Sequence, residues 1–399
     1  MKGYQFEDTQ GTFHLKKAEN ISYLYFPIAG EAGLKSSLTP NLGGDAKIDQ
    51  NTFLLEPVSA ENLVNNRNSR NFWCNVKGIG SWSLTGNAAE ALSKKFTEMQ
   101  DDSEVTAGFM WQKTTRESKK YQLRGEILSF IPVEKNVEVM LVTITNTGRM
   151  AQTVTPTAAI PLYGRSADNI RDHRHVTSLL HRIETTDIGV LVTPTLSFDE
   201  RGHQVNHMTY YCVGWSGNGE KPVDFYPTAE DFVGEGGNFE RPYAIVKNAE
   251  GVKAGTRIEG LEAVGGLHFS EVTLEPEEEC SYLIFTGITE DIQEIRNLSK
   301  TYTTREMVLE ELEKTKAYWQ EKVNVAYHTG DSDFNQFMHW VSFQPILRRI
   351  YGCSFLPHHD YGKGGRGWRD LWQDCLALLI MNPDGVRQML LDNFAGVRV

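Results

Sequence analysis

The amino-acid sequence predicts a β-then-α chain, in which a large antiparallel β-sandwich is followed by a linker helix and further helices. Three observations predict it. From residue 3 to about residue 287, segments rich in β-branched and aromatic residues are separated by Gly, Asn, Asp and Pro, as strands are by turns. No long helical period interrupts these segments, which favours antiparallel pairing in a many-stranded sandwich. After residue 287, apolar residues recur at helical spacing instead.

The length of the chain indicates more than one structural unit. A chain of 399 residues exceeds one typical hydrophobic core. We predict a β-sandwich domain over residues 1–290, a helical linker over 291–329, and the start of a helical domain over 330–399.

Five segments carry the strand pattern most clearly. The strongest of them ends in the turn-forming residues Asn146, Thr147 and Gly148. The predicted strands are residues 121–127, 137–145, 190–195, 207–213 and 281–286.

The linker helix begins with a capping-box pattern. Thr303 and Glu306 have the spacing at which a threonine hydroxyl and a glutamate satisfy the first backbone N–H groups of a helix. The residues predicted on its buried stripe are Val308, Leu312, Trp319 and Val323.

Three further helices are predicted. The first begins near residue 331 and directs Phe334, Met338 and Val341 inward, and Pro345 should kink or end it. The other two cover residues 370–381 and 386–395, with turn-forming residues between them.

Composition narrows the class of protein. A hydrophobic fraction of 40% and a charged fraction of 23% are typical of soluble globular proteins. The formal net charge of −12 argues against nucleic acid or an anionic membrane surface as partner. The N-terminus has no apolar signal segment, and no apolar run approaches the ~18 residues of a membrane span. The five cysteines suggest neither a disulfide framework nor a zinc site, so a reducing cytoplasm is the expected compartment.

The candidate site lies near the C-terminal end, where a glycine-rich stretch at 362–367 leads into the predicted helix at 370–381. Asp370 and Asp374 are one helical turn apart and are expected to share a face, with Leu371 and Leu378 turned away. A pyranose needs hydrogen-bonding groups for its hydroxyls and a flat apolar surface for its ring. The residues that suit these needs are Arg366, Trp368, Arg369, Asp370, Trp372, Gln373 and Asp374. Alternatively, Asp370 only complements the helix dipole in the first turn.

Residues 356–361 and the string Gly-Trp-Arg-Asp-Leu-Trp-Gln-Asp at 367–374 resemble the Arg-Asp-x-x-Gln-Asp block of the cellobiose phosphorylase family of inverting glycoside phosphorylases. Within that family they look most like the 1,2-β-oligoglucan phosphorylases. The resemblance implies that Arg369 and Asp370 hold hydroxyls of the sugar on the non-reducing side of the scissile bond. Arg366, Gln373 and Asp374 would support them.

The first part of the chain resembles the galactose-mutarotase-like sandwich of the same enzymes. The segments that carry this resemblance are residues 3–8, 37–45, 49–55 and 264–279. The resemblance implies that the C-terminal helices open an (α/α)6 barrel. It also places the general acid and the phosphate-binding residues beyond Val399, so no catalytic residue is assigned in this chain.

The expected reaction of the intact enzyme is the reversible, inverting phosphorolysis of β-1,2-linked glucooligosaccharides to α-D-glucose 1-phosphate and a shortened glucan, for which this chain alone is expected to be incomplete. The expected partners are an oligosaccharide and inorganic phosphate as co-substrate, with no cofactor, and either a second copy or a complementary C-terminal chain. A non-catalytic carbohydrate-binding sandwich and a glycoside hydrolase of the same architecture are alternatives. A mutarotase is a more distant one.

A second polar stretch, at residues 163–182, concentrates three histidines and four arginines in an acidic chain. It is interpreted either as a loop that reaches the sugar cleft or as an interface loop paired with acidic neighbours. His173 and His175 have no third ligand at a familiar spacing, so we expect no metal site there.

Overall fold

The structure, a computed structural model, describes residues 3–21, 24–58, 66–171, 174–199, 202–352 and 367–394. These residues form a large antiparallel β-sandwich followed by a group of helices. The predicted order of strands and then helices is confirmed.

The described ranges contain 23 strands. The first twelve are β1 (Tyr4–Phe6), β2 (Phe13–Lys16), β3 (Phe26–Ala29), β4 (Lys35–Leu38), β5 (Ala46–Asp49), β6 (Thr52–Leu55), β7 (Asn71–Val76), β8 (Gly80–Ser83), β9 (Asp102–Gly108), β10 (Trp111–Ser118), β11 (Leu123–Phe130) and β12 (Val137–Asn146). The others are β13 (Gln152–Leu162), β14 (Arg182–Thr185), β15 (Gly189–Val192), β16 (Leu196–Asp199), β17 (Gly202–Val205), β18 (Thr209–Ser216), β19 (Asp224–Thr228), β20 (Arg257–Glu259), β21 (Ala263–His268), β22 (Val272–Leu274) and β23 (Glu279–Thr289).

The strands form two main sheets and two small ones. The large sheet has eleven strands in the order β1-β2-β9-β10-β11-β12-β23-β18-β15-β14-β20. The facing sheet has the order β19-β21-β13-β7-β8, with β22 paired to β13. Strands β3 to β6 form a four-stranded sheet, and β16 with β17 forms a separate hairpin. Each strand pair within the described ranges is antiparallel, as predicted.

Strand β12 lies at the centre of the large sheet and is buried on both faces. Val142 and Ile144 point into the core between the two main sheets, whereas Val139 and Leu141 point into a second core on the outer face. A strand covered on both faces reads as a continuous apolar run, which is why this segment gave the clearest strand signal. Its one carboxylate, Glu138, is fully buried beside Arg70.

Nine α-helices occur in the described ranges. They are α1 (Ala89–Ser93), α2 (Arg174–Ser178), α3 (Ala229–Val233), α4 (Tyr243–Lys247), α5 (Ile292–Thr301), α6 (Arg305–Lys322), α7 (Ser332–Tyr351), α8 (Trp368–Met381) and α9 (Val386–Phe394). The first four have five residues each, too few for a helical period to be visible in the sequence.

Helices α5 and α6 cover the outer face of the large sheet. The predicted stripe on α6 is confirmed, because its four apolar side chains are all buried. The predicted capping box is not formed. Helix α6 begins at Arg305, which makes Thr304 the N-cap, and the Thr304 side chain accepts no hydrogen bond from the helix backbone. The Thr303 hydroxyl instead contacts the sulfur of Met307 at 3.2 Å.

Pro345 lies inside α7, which continues to Tyr351, so the predicted break does not occur. A proline inside a helix costs about 3 kcal/mol. Burial of a large apolar side chain contributes about 1.5–3 kcal/mol. Phe343, Ile346 and Leu347 are all buried next to the proline, and their packing offsets its cost.

The inward face of α7 also differs from the prediction. Phe334 and Val341 are exposed, and Met338 is only partly buried. The buried face is set by contact with the sandwich. The Trp340 indole N–H donates to the carbonyl of Gly11 at 2.8 Å, and the Gly11 N–H donates to the side chain of Gln336 at 2.9 Å.

The other end of α7 is fixed to the sandwich through Tyr351. Its buried hydroxyl lies 2.7 Å from the carbonyl oxygen of Ser36 and 2.8 Å from that of Ile28. The Lys35 ammonium donates to the carbonyl of Ile350 at 3.0 Å. Helix α7 is therefore a fixed platform for the helices that follow it.

None of the helices in the described part of the chain combines the length and the continuous apolar surface that a bilayer crossing requires.

Candidate functional site at the start of helix α8

The first turn of α8 presents the predicted Arg-Asp pair. Gly367 is the N-cap, and its carbonyl accepts from the Leu371 N–H at 3.0 Å. The Asp370 carboxylate folds back towards this cap, because a Cβ at Gly367 would lie 2.9 Å from its Oδ2 atom. A carboxylate in this position complements the positive end of the helix dipole.

Arg369 and Asp370 contact each other at the surface. Nη2 of Arg369 lies 3.3 Å from Oδ1 of Asp370, and the two side chains are 84% and 43% exposed. An ion pair this exposed contributes little to stability. Both groups are accessible to a ligand that offers hydroxyl groups.

Aromatic side chains lie beside this pair. Trp368 and Trp372 are about half exposed, and each ring contacts Phe394 of α9 edge-on at a centroid distance of 5.7 Å. The arrangement gives a flat, partly exposed aromatic surface next to a guanidinium and a carboxylate. Such a surface can stack against the apolar face of a sugar ring.

Asp374 does not share an accessible face with Asp370, contrary to the prediction. It is 1% exposed, and its carboxylate accepts hydrogen bonds from the Arg348 guanidinium, with Nε 2.8 Å from each oxygen. Leu371 and Leu378, which were expected to point away from it, are buried on the same side of α8. The reason is that the inward face of α8 packs on α7, and Arg348 supplies the partner that makes a buried carboxylate tolerable there.

The remaining predicted residues are Gln373 and Arg366. Gln373 is exposed on α8, one residue after Trp372. Arg366 lies outside the described residues, as does the rest of the glycine-rich stretch before Gly367.

Two contributors to this region were missed from the sequence. Arg348 is 26 residues from Asp374, and its only sequence signal is a basic residue in the last turn of a helix. Phe394 had no signal beyond being an aromatic residue near the end of a predicted helix. Long-range pairings of this kind become visible only when the packing of α7, α8 and α9 is known.

Two arginines of the polar stretch at 163–182 pair with acidic side chains. Nη2 of Arg165 lies 3.0 Å from Glu262, and Nε of Arg182 lies 3.5 Å from Glu259. His181 is buried, and burial together with the charge of Arg165 lowers its pKa to about 3. These contacts favour the interpretation as a loop paired with acidic neighbours. His173 and the side chain of His175 lie outside the described part of the stretch.

Among the residues that the structure describes, no group of three or more His, Cys, Asp or Glu side chains is arranged to hold a metal ion.

Comparison with known families finds a match over the sandwich. The family model described as glycosyl hydrolase 94, supersandwich domain, matches residues 57–305. The matched range includes most of the two main sheets and helix α5.

Among curated proteins, the cyclic β-(1,2)-glucan synthase NdvB of Rhizobium meliloti (strain 1021) is 26% identical over 194 residues. The match covers 45% of this chain and 6% of that protein, so the chain corresponds to a small part of it.

Solved structures show weaker likeness. A bacterial glucoamylase complexed with acarbose matches 100% of this chain and 58% of its own, at 8% identity and a TM-score of 0.38. The family GH92 α-mannosidase of Bacteroides thetaiotaomicron matches 84% of this chain and 36% of its own, at 11% identity and a TM-score of 0.38. TM-scores this low do not by themselves establish a shared fold.

Proposed function

Because the chain belongs to the glycosyl hydrolase 94 family, a family of carbohydrate-active enzymes, we propose that it forms the N-terminal part of a glycoside phosphorylase. The proposed reaction is the reversible, inverting phosphorolysis of β-1,2-linked glucooligosaccharides. Its products are α-D-glucose 1-phosphate and a glucan shortened by one unit. The family match over residues 57–305 is the observation that carries the proposal.

The β-1,2 linkage is supported by two likenesses. One is the similarity to a protein whose name describes a cyclic β-(1,2)-glucan synthase. The other is the string at 367–374, which resembles that of the 1,2-β-oligoglucan phosphorylases.

Phosphorolysis requires fewer catalytic groups from the protein than hydrolysis does. Inverting hydrolysis needs an acid for the leaving oxygen and a base that activates water. Phosphate is already an anion and attacks the anomeric carbon without a base, so one general acid suffices. No cofactor is required, and inorganic phosphate is the co-substrate. We assign no described residue as the general acid.

The residues at the start of α8 would orient the glucosyl unit. Arg369 donates to, and Asp370 accepts from, vicinal hydroxyls, and Trp368 stacks against the ring. Gln373 and Arg366 would support them. Asp374 would act indirectly, by fixing α8 against α7 through Arg348.

We further propose that α7 to α9 are opening helices of an (α/α)6 barrel. The C-terminal half of helix α8 is apolar on both faces, since Leu376, Leu379 and Ile380 are exposed on the side opposite to the buried stripe. A helix that is apolar all round normally packs on both sides. Further helices of the same polypeptide or of a complementary C-terminal chain would cover this face.

The proposal is tested with an intact enzyme, in which this chain is joined to the remaining helices of the barrel, by incubation with inorganic phosphate and a 1,2-β-glucooligosaccharide. The expected result is release of α-D-glucose 1-phosphate, measured by a coupled phosphoglucomutase assay. Release of free glucose without the sugar phosphate would identify a hydrolase instead. Glycan binding without turnover would identify a non-catalytic carbohydrate-binding sandwich.

A further inference from the structure

A cavity of about 310 Å³ lies between α5 and the outer face of the large sheet, far in sequence from α8. We call it the linker pocket. Its floor is formed by the buried residues Val137, Tyr211 and Leu298. Its rim carries the exposed side chains of Glu134, Glu294 and Asn297. The volume is at the lower end of the ~300–1,000 Å³ typical of small-molecule sites.

The floor of the linker pocket includes the hydroxyl group of Tyr211. Tyr211 is buried on β18 and is paired in register with Gly287 of β23. A Cβ at Gly287 would collide with the Tyr211 hydroxyl and would approach the Asn136 carbonyl oxygen to 2.5 Å. Because Gly287 has no side chain, the Tyr211 hydroxyl can occupy the space beside it. Burial, with the nearby Glu294 carboxylate, raises the pKa of Tyr211, so the phenol stays protonated and can donate.

The walls supply further donors and acceptors that are held in place. Nζ of Lys135 lies 2.9 Å from the Tyr302 hydroxyl and 4.5 Å above the Tyr302 ring. The Asn136 side-chain oxygen accepts a hydrogen bond from the Leu34 N–H at 2.9 Å, so the NH₂ group of Asn136 points away from Leu34. Glu294 accepts from the Thr289 hydroxyl at 2.6 Å. These contacts limit the rotamers available to each group before any ligand arrives.

The charged residues that line the linker pocket indicate which class of ligand it can bind. Two carboxylates face one ammonium group, so the linker pocket offers no net positive charge to phosphate or another anion. An apolar floor with alternating donors and acceptors around it suits a neutral polyhydroxylated ligand. From this combination, we propose that the linker pocket binds a single neutral monosaccharide unit.

This site is separate from the proposed transfer site. None of its lining residues lies in α7, α8 or α9. The inference goes beyond the proposed function, and it would hold whether the chain transfers glucose or only binds it.

The test measures D-glucose binding to the full 399-residue chain by saturation-transfer difference NMR. An Arg369→Ala background removes the guanidinium expected to bind glucose at α8. The expected dissociation constant for the linker pocket is on the order of 1 mM. Tyr211→Phe in this background should weaken binding by about 3- to 10-fold, since one neutral hydrogen bond is lost.

The matched control is Tyr210→Phe. Tyr210 precedes Tyr211 on β18 but points into the core between the two main sheets, so this substitution removes the same atom from the opposite face. It should leave glucose binding unchanged. Asn297→Ala, at the exposed rim, should weaken binding without affecting folding. Inorganic phosphate added at the same concentration should not reduce the glucose saturation-transfer signal, because the linker pocket offers no net positive charge.

Equal binding by the Tyr211→Phe and Tyr210→Phe variants would overturn the inference. So would complete loss of the glucose signal in the Arg369→Ala background alone, because glucose would then bind only at α8. Failure of phosphorolysis by the intact enzyme, with an intact Tyr211-dependent signal, would overturn the proposed function and leave the linker pocket standing.

Discussion

The carboxylate of Asp374 on α8 is held by the guanidinium of Arg348 on α7, with Nε of the arginine 2.8 Å from each carboxylate oxygen. Asp374 is almost fully buried, whereas Arg348 is about one-third exposed. The pair lies one helical turn beyond Asp370 and fixes the orientation of α8 on the α7 platform. The accessible ends of Arg369 and Asp370 are therefore positioned by a contact between α7 and α8 in which the carboxylate is buried.

Asp374→Asn should lower the free energy of unfolding by about 1–3 kcal/mol. The substitution leaves the Arg348 charge without its carboxylate, and the partial exposure of Arg348 moderates the cost. Urea denaturation measures the effect. Asp370→Asn is the matched control, expected within about 0.5 kcal/mol of the wild type because Asp370 is exposed. Equal stability of the two variants would show that the Arg348 contact does not hold α8.

In the intact enzyme, Asp370→Asn should reduce glucosyl transfer by ~100-fold or more while leaving stability unchanged. A charge-assisted contact to the substrate is worth roughly 1.5–3 kcal/mol, and misplacement of the sugar adds to the loss. The rate of glucose 1-phosphate release is the measurement. Asp384→Asn, at an exposed aspartate between α8 and α9, is the control and should keep the wild-type rate. A wild-type rate for Asp370→Asn would remove this carboxylate from the site.

Glu138→Gln should destabilise the sandwich by about 3 kcal/mol or more. Glu138 and Arg70 are both fully buried, with Arg70 Nη2 3.0 Å from Glu138 Oε2, and the Ser36 hydroxyl donates to the same carboxylate at 2.6 Å. Neutralising Glu138 leaves the Arg70 charge in the core without its carboxylate partner. Chemical denaturation gives the free energy of unfolding.

The comparison for that variant is Glu271→Gln. Glu271 pairs with Lys77 at 3.3 Å on the surface, with both side chains at least half exposed. Such a pair contributes about 0–1 kcal/mol. If both substitutions cost the same, burial of the Arg70–Glu138 pair has no special role in stability.

His181→Gln should reduce the loss of stability on acidification. Burial, reinforced by the charge of Arg165, lowers the pKa of His181 to about 3 in the folded chain, against about 6.5 when unfolded. Below pH ~6.5 the unfolded state binds a proton that the folded state does not, so the free energy of unfolding falls as the pH drops towards 3. The slope of that free energy against pH is the readout.

His203→Gln, at an exposed histidine in β17, is the matched control for the pH measurement. The slopes of the wild type and of this control should agree between pH 6.5 and 3. A slope for His181→Gln that equals theirs would show that His181 does not resist protonation in the fold.

Sequence reasoning worked where the signal was local. The run at 137–145 predicted β12, because burial on both faces leaves a continuous apolar segment. The stripe from Val308 to Val323 predicted α6 and its buried face. It failed at Pro345, where buried neighbours outweigh the local cost of the proline. It also failed at Phe334 and Val341, whose spacing suited a core position that the sandwich does not cover.

The sequence by itself determined the order of strands and helices, the antiparallel class of the sheets and the family of the sandwich, which the match over residues 57–305 confirms. These follow from residue types and spacings within one element, where backbone geometry sets the period. The tertiary structure alone decided that Asp374 binds Arg348 while Asp370 faces solvent, and that Gly287 makes room for the Tyr211 hydroxyl. Neither relationship is encoded locally, because each joins residues at least 26 positions apart whose contact depends on how whole elements pack.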